Sequence, residues 1–564
     1  MQRPGEHDDT GSSRRRTGDG GARHGTLALL TAALLAAGWM TREAGFHRGH
    51  PPAWNATPRD HEPADIAETV RAVNRALRDA WMTAGVEAVG PADARTRLRR
   101  LSLALTGTVP SLEEWRRFEA AAPADPEQWW LARLFRDPRF GSYLAERLAR
   151  MTVGVEAGPF IVYRRHRLLT WIEEALLANR PYDEMVRALI TAEGVWTTHP
   201  EANFLTVTID PNNEAEGPDE IKLAGRVAKA FLGVRLDCVQ CHDDYLGKRW
   251  EQEDFHQLAA FFAGAKMELT GVRDDESRAY RFRLSGSDEP EPLDPAVPFR
   301  PELLPTEGTR RTRLAAWVTH PDNRAFARAA VNRVWAWCFN RPLHEPVDDL
   351  PLDGPFPPGL EVLGDDFIAH GFDLQRLIRV IVATDAFRHA SRSADPERPV
   401  TPEQEALWAA FPLTRLRPEQ VAGSILQASS LKTIDARSHV LRRITRLFGE
   451  GEFVRRYGDP GENELQNAAG TITQRLILMN GKLVYERTKE DLVVNASTRL
   501  AALAPDPAQA VATAFLVVLG RPPTPTESDW FGSRLADRGD RPAAEVMEDL
   551  FWTLINATEF SWNH

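Results

Sequence analysis

The sequence predicts a mainly α-helical protein: two helical domains joined by a Pro/Gly-rich linker, with little β structure. Three observations carry that expectation. Apolar residues recur at three- and four-residue spacings, helix start and stop signals flank these runs, and no convincing set of alternating strands interrupts them. A chain of 564 residues is also too long for one ordinary core, which argues for at least two domains.

The chain opens with a basic, Gly-rich stretch at 1–25, where Arg14, Arg15, Arg16 and Arg23 precede an apolar run at 26–40. That run suits the h-region of a secretory signal, roughly 7–15 residues long. A spanning helix needs about 20. An uncleaved N-terminal membrane anchor is the alternative. Both readings export the bulk of the chain, to the periplasm or the cell surface. Residues 41–60, with Pro51, Pro52 and Pro58, read as a linker.

The first helical domain spans 61–265. Ile66, Val70, Val73, Leu77 and Trp81 share one helix face. The next helix carries Leu98, Leu101 and Leu105 and stops at Gly107. Ser111 is an N-cap with Glu114 at the capping-box position. Further helical runs are predicted at 127–150, 165–178, 182–192 and 219–234. Residues 266–306, punctuated by Gly271, Gly286 and six prolines from Pro290 to Pro305, read as an interdomain linker or surface excursion. Within them, Tyr280–Leu284 alternates like a short strand. The second domain, 307–564, carries a proline-dense loop at 345–359. Its helical runs fall at 361–386, 417–430, 436–448, 506–519 and 543–556.

A hydrophobic content of 43% provides ample core, and a net charge of −11 argues against a nucleic-acid partner. Three cysteines exclude a disulfide scaffold, yet two of them stand in Cys238-Val239-Gln240-Cys241-His242. Scattering 3 Cys and 15 His at random over the chain gives about 0.0004 such motifs, so chance is a poor explanation.

This spacing lets two thiols add to the vinyl groups of a haem while the next residue, His242, ligates the iron. Haem c attached at Cys238, Cys241 and His242 is the leading expectation, for electron transfer or redox chemistry. His256 or Met267, and less directly His199, are candidate sixth ligands. Two alternatives stay open. One is zinc or another non-haem metal held with Asp243 or Asp244. The other is a redox disulfide, or no cofactor at all, in a scaffold that binds a partner or polysaccharide. Cys338, within the apolar helix from Val331, reads as a buried core thiol. Arg333 with Asp348 and Asp349 reads as a buried or semi-buried ion pair that fixes a loop, the alternative being that Asn332, Arg333 and the two aspartates line a pocket. No nucleophile elbow, phosphate loop or zinc-protease motif is present, so no catalytic residue is assigned. The expected partner is a redox or surface protein.

Leu223–Val234 leading into Cys238, followed by Trp250–Phe255 and Leu258–Phe262, resembles the planctomycete cytochrome-like (PSCyt-type) domain of unknown function. Leu98–Pro110 and Asn179–Asp183 look like the same domain. The second half is similar to the planctomycete PSD-type domain of unknown function that usually follows it. That similarity rests on Leu314–Val318, Pro321–Asn323, Val331–Trp335, Pro346–Asp349, Gly371–Leu374, Leu478–Gly481, Leu519–Pro523 and Leu554–Phe560. The resemblance implies a cytochrome-like site at the C-x-x-C-H motif and no established activity. Relatives commonly read Cys-His-Asp-His-Pro, whereas here Asp244 stands in place of the second histidine.

Overall fold

Capping chemistry marks where the helices begin. In the computed structural model α1 covers Pro63–Ala84 and α2 Ala94–Thr106, the latter capped by Asp93 and closed by Gly107 at φ 69°. Helix α3, Leu112–Ala121, starts with the full Ser111/Glu114 capping box. The run expected at 127–150 divides into α4, Pro126–Leu134, and α5, Pro138–Val153. Asp137 supplies an N-cap and Pro138 the first-turn proline, so the helix restarts there. Helices α6, Arg165–Leu177, and α7, Tyr182–Thr191, follow. Then α8, Glu220–Val227, runs into a π-helical turn, Ala228–Leu232, ended by Gly233. Helix α9 is Gln252–Ala259.

The stretch 266–306 holds two small hairpins. Strand β1, Ala265–Glu268, pairs with β2, Gly271–Asp274, and β3, Tyr280–Phe282, pairs with β4, Glu291–Leu293. The second half comprises α10, Arg310–Val318; α11, Arg324–Phe339; α12, Leu360–Ala369; α13, Leu374–Ala383; and α14, Pro418–Ala428. It continues with α15, Ile472–Asn480; α16, Lys482–Thr488; α17, Ala496–Leu503; α18, Pro507–Leu519; α19, Pro525–Ala536; and α20, Ala543–Ile555. The described residues are 63–564 without 156–157, 160, 211–216, 237, 245–248, 284–288, 435–450, 460, 462–464 and 466–469. The expected segments at 1–25, 26–40 and 41–60 and the helix at 436–448 lie outside them. Among the described residues the protein is mainly α, and no helix is long and apolar enough to cross a membrane.

The described residues from Pro63 onward form one compact unit. Its larger core joins Val73 and Leu77 of α1 to Leu363 and Phe367 of α12 and to Leu377 of α13, with Trp335 of α11 also inside. A smaller core gathers Leu103, Val109 and Leu112 with residues between Leu416 and Phe560. Part of 266–306 packs into the larger core, through Val272 and Val297. Val272 is buried, and its backbone exchanges hydrogen bonds with Gly194. Arg311 of α10 shows why such contacts persist. Its buried guanidinium donates to the carbonyls of Ile190 and Ala192 at 2.9 and 2.8 Å and to Asp274 at 2.7 Å. Arg99 and Arg100 of α2 act similarly, donating to the carbonyls of Trp562 and His564 at 3.1 and 2.8 Å. A buried charge without such acceptors would be costly.

Candidate functional site

The C-x-x-C-H motif begins on a 3₁₀ turn, Cys238–Gln240, between the π-helical end of α8 and the start of α9, and Cys241 and His242 follow directly after it. Val239 points into the core, 2% exposed, and anchors the turn. Both flanking cysteines are exposed free thiols. The motif is thus neither packed shut nor closed by a disulfide, and the amide of Cys241 approaches the carbonyl of Cys238 at 3.5 Å.

His242 is exposed, and its Nδ1 lies 2.8 Å from the carbonyl of Asp243. A carbonyl can only accept, so Nδ1 carries the proton and Nε2 bears the lone pair of the neutral ring. That is the tautomer an Nε2 metal ligand requires, set by the kind of backbone hydrogen bond that orients ligating histidines.

Asp243 binds the backbone through its carboxylate, Asp244 through its own amide. Asp243 Oδ1 accepts the amide of Gln252 at 2.8 Å, and the amide of Asp244 donates to Trp250 at 2.9 Å. Among the described residues no group of three or more His, Cys, Asp and Glu is arranged to hold a metal ion.

His256, a candidate sixth ligand, braces the turn in this structure. It is fully buried on α9, with Nε2 3.1 Å from the carbonyl of Gln240 and Nδ1 2.8 Å from the Tyr280 hydroxyl. Its ring stacks on Phe282 at 3.3 Å between centroids. Nε2 must donate to the carbonyl, so Nδ1 accepts from the tyrosine, and neither nitrogen is left for iron. Desolvation lowers its pKa, which keeps the ring neutral despite the opposing pull of the Gln240 carbonyl. Met267 sits half-buried in β1 opposite Val272, against the larger core. His199 is exposed beside Glu201.

Several residues that shape the site went unassigned from sequence. Arg235, three positions before Cys238, pairs with Asp348 at 2.6 Å, and the amide of Leu350 donates to Gly233 at 2.7 Å. Asn332 does fix the loop, bonding the backbone of His344 and Val347. Asp348, however, finds its cations on the first half of the chain. Cys338 is fully buried, and burial pushes its thiol up to about 12. The available signal for His256 was its place beside Phe255 and Leu258 in an apolar helix, where a satisfied core histidine is the usual outcome.

Fold and site together define a mainly helical protein that presents a C-x-x-C-H turn at its surface. Residues 72–267 match the family PSCyt2, a protein of unknown function (DUF1549), and residues 310–451 match PSD1, a protein of unknown function (DUF1553). The two matches follow one another in that order along the chain. The motif falls inside the first matched stretch, and residues 452–564 lie outside both. No curated protein and no solved structure matches the chain.

Proposed function

We propose that this is an exported redox protein in which Cys238 and Cys241 hold a c-type haem covalently and His242 ligates its iron. The single observation that carries the reading is the turn itself. It combines two exposed thiols with an adjacent imidazole whose Nδ1 proton is tied to the Asp243 carbonyl. When bound, such a haem supplies one-electron transfer. The protein's own residues hold the turn. Val239 plugs it, His256 and Gln252 grip the carbonyl of Gln240 at 3.1 and 3.3 Å, and Asp243 caps the start of α9. An exposed site suits exchange with a redox partner protein outside the cytoplasm. The apolar run after Arg14–Arg16 supports export.

The test is to produce the full chain with haem-maturation machinery and extract it with acidic acetone. A Soret band that stays with the protein supports the reading. Protein without covalent haem under those conditions overturns it and favours a scaffold whose cysteines serve a metal or a disulfide. His242→Ala should keep both thioethers yet change the spin state and potential sharply.

A further inference from the structure

A second site lies far along the sequence from the motif. Helices α3, α17 and α18, with the loop at Leu431 and Lys432, enclose a groove of about 560 Å³. That size falls in the range of small-molecule sites, roughly 300–1,000 Å³. Its floor is apolar, built from Leu112, Leu431 and Leu500, and Leu503 stands at its mouth 74% exposed. An aliphatic side chain so exposed beside a concave apolar surface lacks the burial that would stabilise it.

The charges on the rim are unbalanced. Arg116, Arg117, Lys432 and Arg499 face a single acid, Glu113. That acid is used up, because it pairs with Arg117 and accepts the Thr433 amide at 3.4 Å. Arg499 donates to the carbonyls of Leu492 and Val493, which leaves its charge unneutralised. Arg116 and Lys432 make no ion pair among the described residues. An apolar trough under three cations that have no acidic partner among the described residues is complementary to one chemistry, an alkyl chain ending in an anion.

We propose that this groove binds a free amphiphilic carboxylate, its tail along Leu112, Leu500 and Leu503 and its head between Arg116 and Lys432. The site is independent of the haem reading and gains nothing from it. The experiment is calorimetric titration of the full chain with dodecanoate below its micelle concentration. Dodecyltrimethylammonium and phosphatidylglycerol vesicles serve as comparison arms.

Saturable one-to-one binding of dodecanoate, at least about ten-fold tighter than the cationic detergent, is expected. Arg116→Gln with Lys432→Gln should weaken it about ten-fold, and Leu503→Gln should weaken it as well. All three side chains are exposed or at the rim, so circular dichroism should show the fold intact. Equal binding of both detergents, no effect of the charge variants, or binding to vesicles alone would each overturn the proposal.

Discussion

Asp348 accepts two hydrogen bonds from the guanidinium of Arg235, at 3.1 and 2.6 Å, while the ammonium of Lys229 lies 3.6 Å from its other oxygen. The acid belongs to the PSD1 stretch and the cations to the PSCyt2 stretch, immediately ahead of Cys238. One matched stretch therefore clamps the other just ahead of the turn. Gly233 lies in the same clamp at φ +63°, where an added Cβ would come within 2.8 Å of Leu350.

Asp348→Asn should loosen this grip, because a buried carboxylate that satisfies two cations becomes a neutral amide. The expected loss is about 1–3 kcal/mol in stability. Faster alkylation of Cys238 and Cys241 should accompany it. A denaturation midpoint and thiol-labelling rates measure both. If the midpoint drops while labelling stays unchanged, the clamp stabilises the fold without positioning the turn.

His256→Phe keeps the ring volume and removes both hydrogen bonds. The variant should lose about 1–3 kcal/mol, since the Tyr280 hydroxyl is stranded and the Gln240 carbonyl keeps only Gln252. The sign of its pH dependence follows from the lowered pKa. The unfolded chain takes up the proton near 6.5, while the folded chain resists it. This contribution is therefore complete above about 6.5 and falls away as the pH drops toward the lower folded value. His389 and His564 titrate in the same sense. The measurement is thus the difference in acid sensitivity between wild type and His256→Gln, in which that part should vanish.

Glu527 offers the opposite case, in a different part of the fold. Hydrogen bonds from Arg521, at 2.8 and 3.0 Å, lower its pKa from 4.5 to about 2. Arg521 also grips Glu559, and Glu527 completes the capping box with Thr524 at the start of α19. Stability from this acid is present above 4.5 and is lost as the pH falls through about 2. The side chain is partly solvated, so Glu527→Gln should cost only about 1 kcal/mol at neutral pH and almost nothing near pH 2. Amide exchange in the first turn of α19 at the two pH values would check this.

Local chemistry made much of the fold legible. The Ser111/Glu114 box, the stop at Gly107, the apolar face of Ile66–Trp81 and the short strand from Tyr280 all depend on residues within a few positions of one another. The same locality carries the Cys238/Cys241/His242 turn, whose spacing is its chemistry. Breaks were harder to see. The run at 361–386 reads as one helix, yet Gly371 and Phe372 take left-handed φ values of 63° and 56° before Asp373 caps a new one.

Three-dimensional packing decided the rest, because it depends on partners that no spacing reveals. A Pro/Gly-rich stretch signals irregular backbone, and that much is true of 266–306. Whether it separates two cores is a matter of which surfaces bury each other, and α1 buries its apolar face against α12 and α13. His256 shows the same limit at a single side chain. Sequence establishes an imidazole at a ligand-like distance from the motif. Its carbonyl and tyrosine partners, brought together by α9 and the β3–β4 hairpin, are what the tertiary structure adds.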